Sequence, residues 1–253
     1  MGVVRRHSPW GIQMNHHAAI AAATITLFAA LPALSQDLDR IRAELGKKFP
    51  EAQVETVRKS GYGGLLEVTG GGEVYYTDEK TSFLIFGSIV DAKTRANVTE
   101  ARVRQISAIK FDALPLESAF KIVRGNGSRR IAIFADPNCG YCKRFERDLV
   151  GVSDITVYMF LYPILSADSG EKSKAVWCAA DRGKAWLDLM LKDTLPTGGG
   201  KCETPIEKNL AFGREKRITG TPTIFFEDGE RVPGVMPIAA FEKRLAEAKF
   251  ASK

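Results

Sequence analysis

The chain has 253 residues, with 36 lysines and arginines against 30 aspartates and glutamates, a formal net charge of +6 and 45% hydrophobic residues. The basic excess is mild and interspersed, without the blocks that mark a nucleic-acid-binding arm, so no nucleic-acid partner is expected. No long apolar segment follows the amino-terminal one, which excludes a multi-span membrane protein.

In chain order, Arg5 and Arg6 precede a polar stretch, then "AAIAAATITLFAA" (Ala18–Ala30), Pro32, and the small pair Ala33 and Ser35. This is the form of a secretory signal peptide over residues 1–35, cleaved after Ser35, with Met14 as an alternative start to Met1. An apolar run this short falls below the roughly 18 to 20 residues needed to cross a bilayer, which makes a retained anchor the weaker reading. Cleavage removes Arg5, Arg6 and no acid, leaving 34 basic against 30 acidic residues, a net +4. It also removes all three histidines, His7, His16 and His17. An exported chain without histidine keeps its disulfides but has no Cys–His or Ser–His nucleophile pair and no histidine-containing zinc site.

Residues 36–96 read as a short helix, "DLDRIRAELGKKFP", followed by four strand-like pieces, "AQVETVRKS", "GLLEVTG", "EVYYTD" and "SFLIFGSIVD", with glycine clusters at 61–64 and 70–72 as turns. So small a sheet is marginal alone, and its edge invites a second copy. Asn97 with Glu100 three residues later is a helix start, and the sequence predicts one helix ending before Leu114-Pro115, either a linker or an ordinary packed helix. Residues 115–253 follow in the order strand, helix, strand, helices, strand. "SAFKIVRGNGSRRIAIFAD" reads as a hairpin turning at 125–128, "CGYCKRFERDLV" as a helix, "DITVYMFLYPIL" as a buried strand, and "GTPTIFFEDGERVPG" as a second hairpin before a last helix.

The four cysteines are Cys139, Cys142, Cys178 and Cys202. Cys139 and Cys142 stand where a strand gives way to a helix that Asn138 can cap, so Cys139 lies at the positive end of the helix dipole, with Lys143 and Arg144 adding charge. Cys142 shares the inward face with Phe145 and Leu149, so the pattern predicts an accessible nucleophile, Cys139, and a shielded resolving thiol, Cys142. Zinc is disfavoured because Cys178 and Cys202 lack a second short spacing. A purely structural Cys139–Cys142 link is disfavoured because so small a loop restrains the unfolded chain least. Cys178 with Cys202 reads as a structural cross-link, worth about 3 kcal/mol by loop entropy, with a second redox pair as the alternative. Pro222, after Gly220 and Thr221, opens a strand; a cis bond there leaves backbone groups free for an extended substrate, and a trans proline on an edge strand is the plainer alternative.

Taken in order, "EVYYTDEKTSFLIFGSIVD", "FADPNCGYCKRF", "AVWCAADRGKAW" and "GTPTIFFEDGERVPG" after a signal peptide resemble DsbC, the periplasmic thiol-disulfide isomerase family that includes DsbG. "CGYC" is nearer the isomerase form than the "CPYC" of DsbG, while "DPNCGYC" and "TGGGKC" depart locally from the family pattern. The resemblance covers nearly the whole mature chain. It implies an α+β protein: a β-rich dimerisation domain (36–96), a linker helix (97–114), and a thioredoxin fold with a helical insertion (115–253). It further implies that Cys139 and Cys142 are catalytic, that Thr221 and Pro222 form a cis-proline loop facing Cys139, and that Gly140 and Tyr141 contact substrate. Cys178–Cys202 is then a structural disulfide, and no metal or cofactor is needed. The implied partners are a second copy in a V-shaped homodimer, misfolded disulfide-containing secreted proteins in its cleft, and a membrane reductase of the DsbD type. A periplasmic chaperone role beside isomerisation is also implied. The rival readings are net thiol oxidation by a monomer and a holdase whose apolar cleft matters more than its thiols.

Overall fold

The structure, a computed structural model, describes residues 30–197 and 202–251, and residue 2 nearer the amino terminus. Most of the leader reading, including Arg5, Arg6, the histidines and Met14, lies outside the described residues, as does the 198–200 glycine loop. Two compact units result, Met1–Val68 with Tyr76–Leu84, and Thr69–Tyr75 with Ile85–Lys253. The division passes through one hairpin.

In the first unit, helix α1 (Ala30–Lys48) begins upstream of the predicted start at Asp37, because nothing before Asp37 breaks it and Pro32 falls in the first turn, where its missing N–H is not needed. It buries Ile41 and Leu45, four residues apart on one face. Its last-turn Lys48 donates to the Thr81 hydroxyl at 2.6 Å. Strands β1 (Val54–Lys59), β2 (Leu66–Gly70) and β3 (Glu73–Thr77) form a sheet in that order. Arg58 grips the buried Glu67 carboxylate through two 2.6 Å hydrogen bonds, a bidentate pair across β1 and β2. The fourth predicted strand does not form. Residues 83–91 are held by isolated bridges at Ile85 and at Val90, the latter opposite Asn97, and leave Phe83, Ile85, Phe86 and Val90 exposed. A run of apolar residues announces a surface to be covered and does not supply the partner.

In the second unit, α2 (Val98–Ser107) starts as expected, the Asn97 side chain accepting from the Glu100 amide at 3.0 Å. It ends short of the predicted residue 113. Ala108 turns extended, the Ile109 amide donates to Gly229 at 3.0 Å, and Phe111 is drawn into the core against Tyr158 and under Arg130. The main sheet has strands β4 (Phe120–Arg124), β5 (Arg129–Ala135), β6 (Ile155–Leu161), β7 (Thr223–Phe226) and β8 (Arg231–Pro233), in the order β4-β6-β5-β7-β8. Only β5 and β6 are parallel, joined by the crossover helix α3 (Gly140–Leu149). The predicted β4–β5 hairpin is therefore corrected: β6 lies between them. β6 is buried almost throughout, so it needs a partner on each side. Asp154 at its entry fixes the turn, accepting from the Asn126 amide at 3.0 Å and lying 2.4 Å from where a Cβ on Gly125 (φ +59) would stand. The second hairpin forms as read, Thr223 opposite Pro233.

Helices α4 (Ala167–Trp177), α5 (Arg182–Lys192) and α6 (Ile206–Glu215) are inserted between β6 and β7, and α7 (Ile238–Ala251) closes the chain. Both faces of the sheet are covered. Ile131, Ile133 and Ala135 of β5 pack with Phe145, Trp186 and Phe241 on one side, and Ala132 and Phe134 with Phe160, Tyr162 and Phe225 on the other. This α+β arrangement matches the expected fold class. It leaves the carboxyl end of β5 and the amino end of α3 meeting at one edge, where the cysteines are.

Candidate active site

β5 ends at Ala135, and a tight turn closed by the Cys139 amide on the Asp136 carbonyl (3.0 Å) delivers Cys139 to the start of α3. Cys139 is itself the N-cap: its backbone is extended (φ −75, ψ 115), and its Sγ accepts from the Cys142 amide at 3.2 Å. The expected cap, Asn138, is not used. Its Nδ2 donates to Ser166 Oγ (3.1 Å), Asp168 Oδ2 (2.8 Å) and Ser169 Oγ (3.1 Å), and its Oδ1 accepts from Lys172 (2.8 Å). Asp136, fully buried, accepts from the Asn138 amide, the Ser169 hydroxyl and the Leu165 amide at 2.7–2.9 Å. Sequence reasoning passed over Asp136, Asp168, Ser169 and Lys172. The one available sign was an Asp two residues before Asn138, the spacing of an Asx turn.

Cys142 is buried with Phe145 and Leu149 on the inward face, as read. The accessibility expected of Cys139 is not met: only 5% of it is exposed, because the Thr221-Pro222 loop lies over it, with Sγ donating to the Thr221 carbonyl at 3.3 Å. The Thr221-Pro222 peptide is cis. Gly140 opens on free space and Tyr141 is exposed. Lys143 pairs with Asp193 at the end of α5. The structure thus brings Cys139, Cys142, Thr221 and Pro222 together, with Gly140 and Tyr141 on the rim. Cys178 and Cys202 are apart from them, bonded to each other with an S–S distance of 2.07 Å. Among the described residues no cluster of three or more His, Cys, Asp or Glu could hold a metal, and no helix is long and apolar enough to cross a membrane.

The two free thiols differ electrostatically. The Cys142 thiol, donating to the Cys139 sulfur, lowers the Cys139 pKa to about 6 against the opposing effect of partial burial. The Thr221 hydroxyl, buried without another partner among the described residues, and the amides of Cys142 and Tyr141 add to the lowering. Burial first, then the hydrogen bond to Cys139 and its negative charge, push Cys142 far above an ordinary thiol. Alkylation of the reduced protein by iodoacetamide should therefore rise through about pH 6 and level off above it, on Cys139 alone, as read by peptide mass mapping. A midpoint at the ordinary thiol value, or equal labelling of both, would contradict this. Because the Cys139 pKa is depressed, its ionisation stabilises the reduced fold above the unfolded thiol pKa, and that contribution is lost as pH falls through about 6.

Two family models match the chain: a thioredoxin-like domain over residues 116–249 and a disulfide bond isomerase protein N-terminal domain over residues 16–100. A probable thiol:disulfide interchange protein DsbC from Bordetella parapertussis is 45% identical over 207 residues, covering 82% of this chain and 74% of that protein. The thiol:disulfide interchange protein DsbC of Escherichia coli is 28% identical over 234 residues, 88% of this chain and 93% of that one. Among solved structures, a disulfide interchange protein from Neisseria gonorrhoeae superposes with a TM-score of 0.52 at 38% identity, over 54% of this chain and 99% of its own.

Proposed function

The chain belongs to the DsbC family of thiol:disulfide interchange enzymes, and on that premise we propose that it reshuffles wrong disulfides in exported proteins, with Cys139 as the attacking sulfur and Cys142 as the resolving one. The observation that carries the assignment is the asymmetry of the pair: one sulfur capping a helix and held as a thiolate near neutral pH, the other buried and held as a thiol.

The Cys139 thiolate attacks one sulfur of a client disulfide. A Cys139–client S–S bond forms, the client bond breaks, and the departing client sulfur leaves as a thiolate. Attack by a client thiolate on this mixed bond restores the Cys139 thiolate and a rearranged client disulfide, with no net electron transfer. If the mixed bond persists, Cys142 gives its proton to the departing client thiolate and attacks Cys139 Sγ. The client then leaves reduced by two electrons, and Cys139–Cys142 is a disulfide. A membrane reductase of the DsbD type returns those two electrons. The client backbone lies along Thr221-Pro222, beside Gly140 and Tyr141.

The proposal includes a periplasmic homodimer, with 1–35 as a cleaved leader, 36–96 for dimerisation, 97–114 as linker and 115–253 as the exchange domain. The N-terminal family match supports the dimer, as does the exposure of Phe83, Ile85, Phe86 and Val90. A chaperone activity beside exchange is part of the same proposal.

The test is Cys142→Ser with a disulfide-containing client. It should accumulate a covalent adduct on non-reducing gels that dithiothreitol dissolves, since the first attack proceeds and the escape does not. No adduct, with wild-type turnover, would overturn the role given to Cys142.

A further inference from the structure

The turn that delivers Cys139 is fastened to a helix remote in sequence. Asp136 and Asn138, on either side of Pro137, both reach the amino end of α4: Asp136 through Ser169 and the Leu165 amide, Asn138 through Ser166, Asp168 and Ser169. Lys172, one turn further along α4, closes the arrangement by bonding Asn138 Oδ1 at 2.8 Å and Asp168 at 2.7 Å. Asn138 thus spends both ends of its amide on α4.

This has a consequence for α3. Asparagine oxygen is among the strongest N-caps, and a sulfur is a weaker acceptor than oxygen. A sulfur takes the Cys142 amide in the first turn of α3 here because the competing amide side chain next to it is held elsewhere and the Cys139 backbone is held by the Asp136 carbonyl. We propose that Asn138, with Asp168 and Lys172 as its partners on α4, is a positioning clamp that keeps Cys139 Sγ seated on the Cys142 amide. The clamp acts through Cys139 and touches no substrate, and it rests on the reading of Cys139 as the attacking sulfur.

The charges around it fit this role. From α4 come Asp168 and Lys172, which neutralise each other; from α3 comes Lys143, paired with Asp193 at the end of α5; from the turn comes Asp136, with three donors. Lys172 and then Asn138 hold the Asp168 carboxyl below the usual carboxylate range. A neutral side chain at 138 can bridge this ion pair without adding net charge beside the sulfur.

The experiment is a titration of the Cys139 thiolate by ultraviolet absorbance in the reduced full-length mature protein, comparing wild type with Asn138→Ala, Asp168→Asn and Asp168→Ala. Freed of the clamp, Cys139 in Asn138→Ala should titrate about one unit higher, which lowers the thiolate population at about pH 6 roughly fivefold. Asp168→Asn keeps an acceptor for Asn138 and should stay near wild type, while Asp168→Ala should shift in the same direction as Asn138→Ala by less. Asp168 is largely exposed, so its variants fold even if Asn138→Ala does not. Unchanged titration in Asn138→Ala and Asp168→Ala, beside a low-titrating wild type, overturns the clamp and spares the reading of Cys139. An ordinary thiol titration in the wild type overturns both. A loss of thermal stability with no movement of the titration makes Asn138 purely structural and also overturns the proposal.

Discussion

Cys139→Ser is expected to bring disulfide reshuffling to the uncatalysed background while leaving the thermal unfolding midpoint close to that of the wild type. The change replaces one small side chain at a helix start with another that caps at least as well, so the fold loses little. The chemistry loses everything: a hydroxyl is not ionised near neutral pH, and no other free thiolate is available among the described residues, since Cys142 is held protonated and Cys178 and Cys202 are bonded to each other. The measurement is recovery of activity by a scrambled multi-disulfide protein. Full recovery with Cys139→Ser would reject the assignment of the attacking sulfur.

The second large effect is on stability and sits one turn further along the same helix, on its inward face. Glu146 is buried on α3, four residues beyond Cys142, accepting from Trp186 Nε1 of α5 at 2.7 Å, with Arg124 of β4 at 3.6 Å. Arg124 also donates to the Leu149 carbonyl at the end of α3 (2.8 Å), so this group ties the cysteine-bearing helix to the sheet and to the inserted helices. Burial raises the Glu146 pKa, and the Trp186 bond and the Arg124 charge oppose it. Arg124→Met leaves the carboxylate without its counter-charge and is expected to cost about 3 kcal/mol near neutral pH. The sign with pH follows. A carboxyl whose folded pKa lies above its unfolded one binds more protons when folded, so stability falls as pH rises through the window above the ordinary carboxylate value. Removing Arg124 raises the folded pKa further and widens that window. The deficit of Arg124→Met in urea unfolding should therefore shrink at about pH 5 relative to about pH 8. An equal deficit at both would mean that lost packing and the Leu149 bond account for all of it.

Much of this was legible because the physics is local. Asn97 and Glu100 announced the start of α2, the inward spacing of Cys142, Phe145 and Leu149 announced the buried face of α3, and the stretch "GTPTIFFEDGERVPG" announced the β7–β8 hairpin. What the sequence concealed depends on distant partners. Nothing near residues 120–135 says that β6 slots between β4 and β5, and the apolar run in 83–91 records a demand for burial without saying what meets it. At the site, the cysteine spacing was visible. The Thr221-Pro222 loop, 82 positions away, was expected to face Cys139 through the family resemblance and not from the residues themselves; that it buries the sulfur, and that Asp168, 30 positions away, takes Asn138 from its capping role, was not visible. Short polar side chains choose between local and distant acceptors, and only the fold decides.

The most direct test of the account is to give the purified mature protein, in a glutathione buffer, a scrambled multi-disulfide substrate and, in parallel, the same substrate fully reduced. Fast reactivation of the scrambled form with slow oxidation of the reduced one is the predicted result, that of a thiolate working from the dithiol state. Fast oxidation with little reactivation would contradict it, making the Cys139–Cys142 pair a net oxidant on a shared fold.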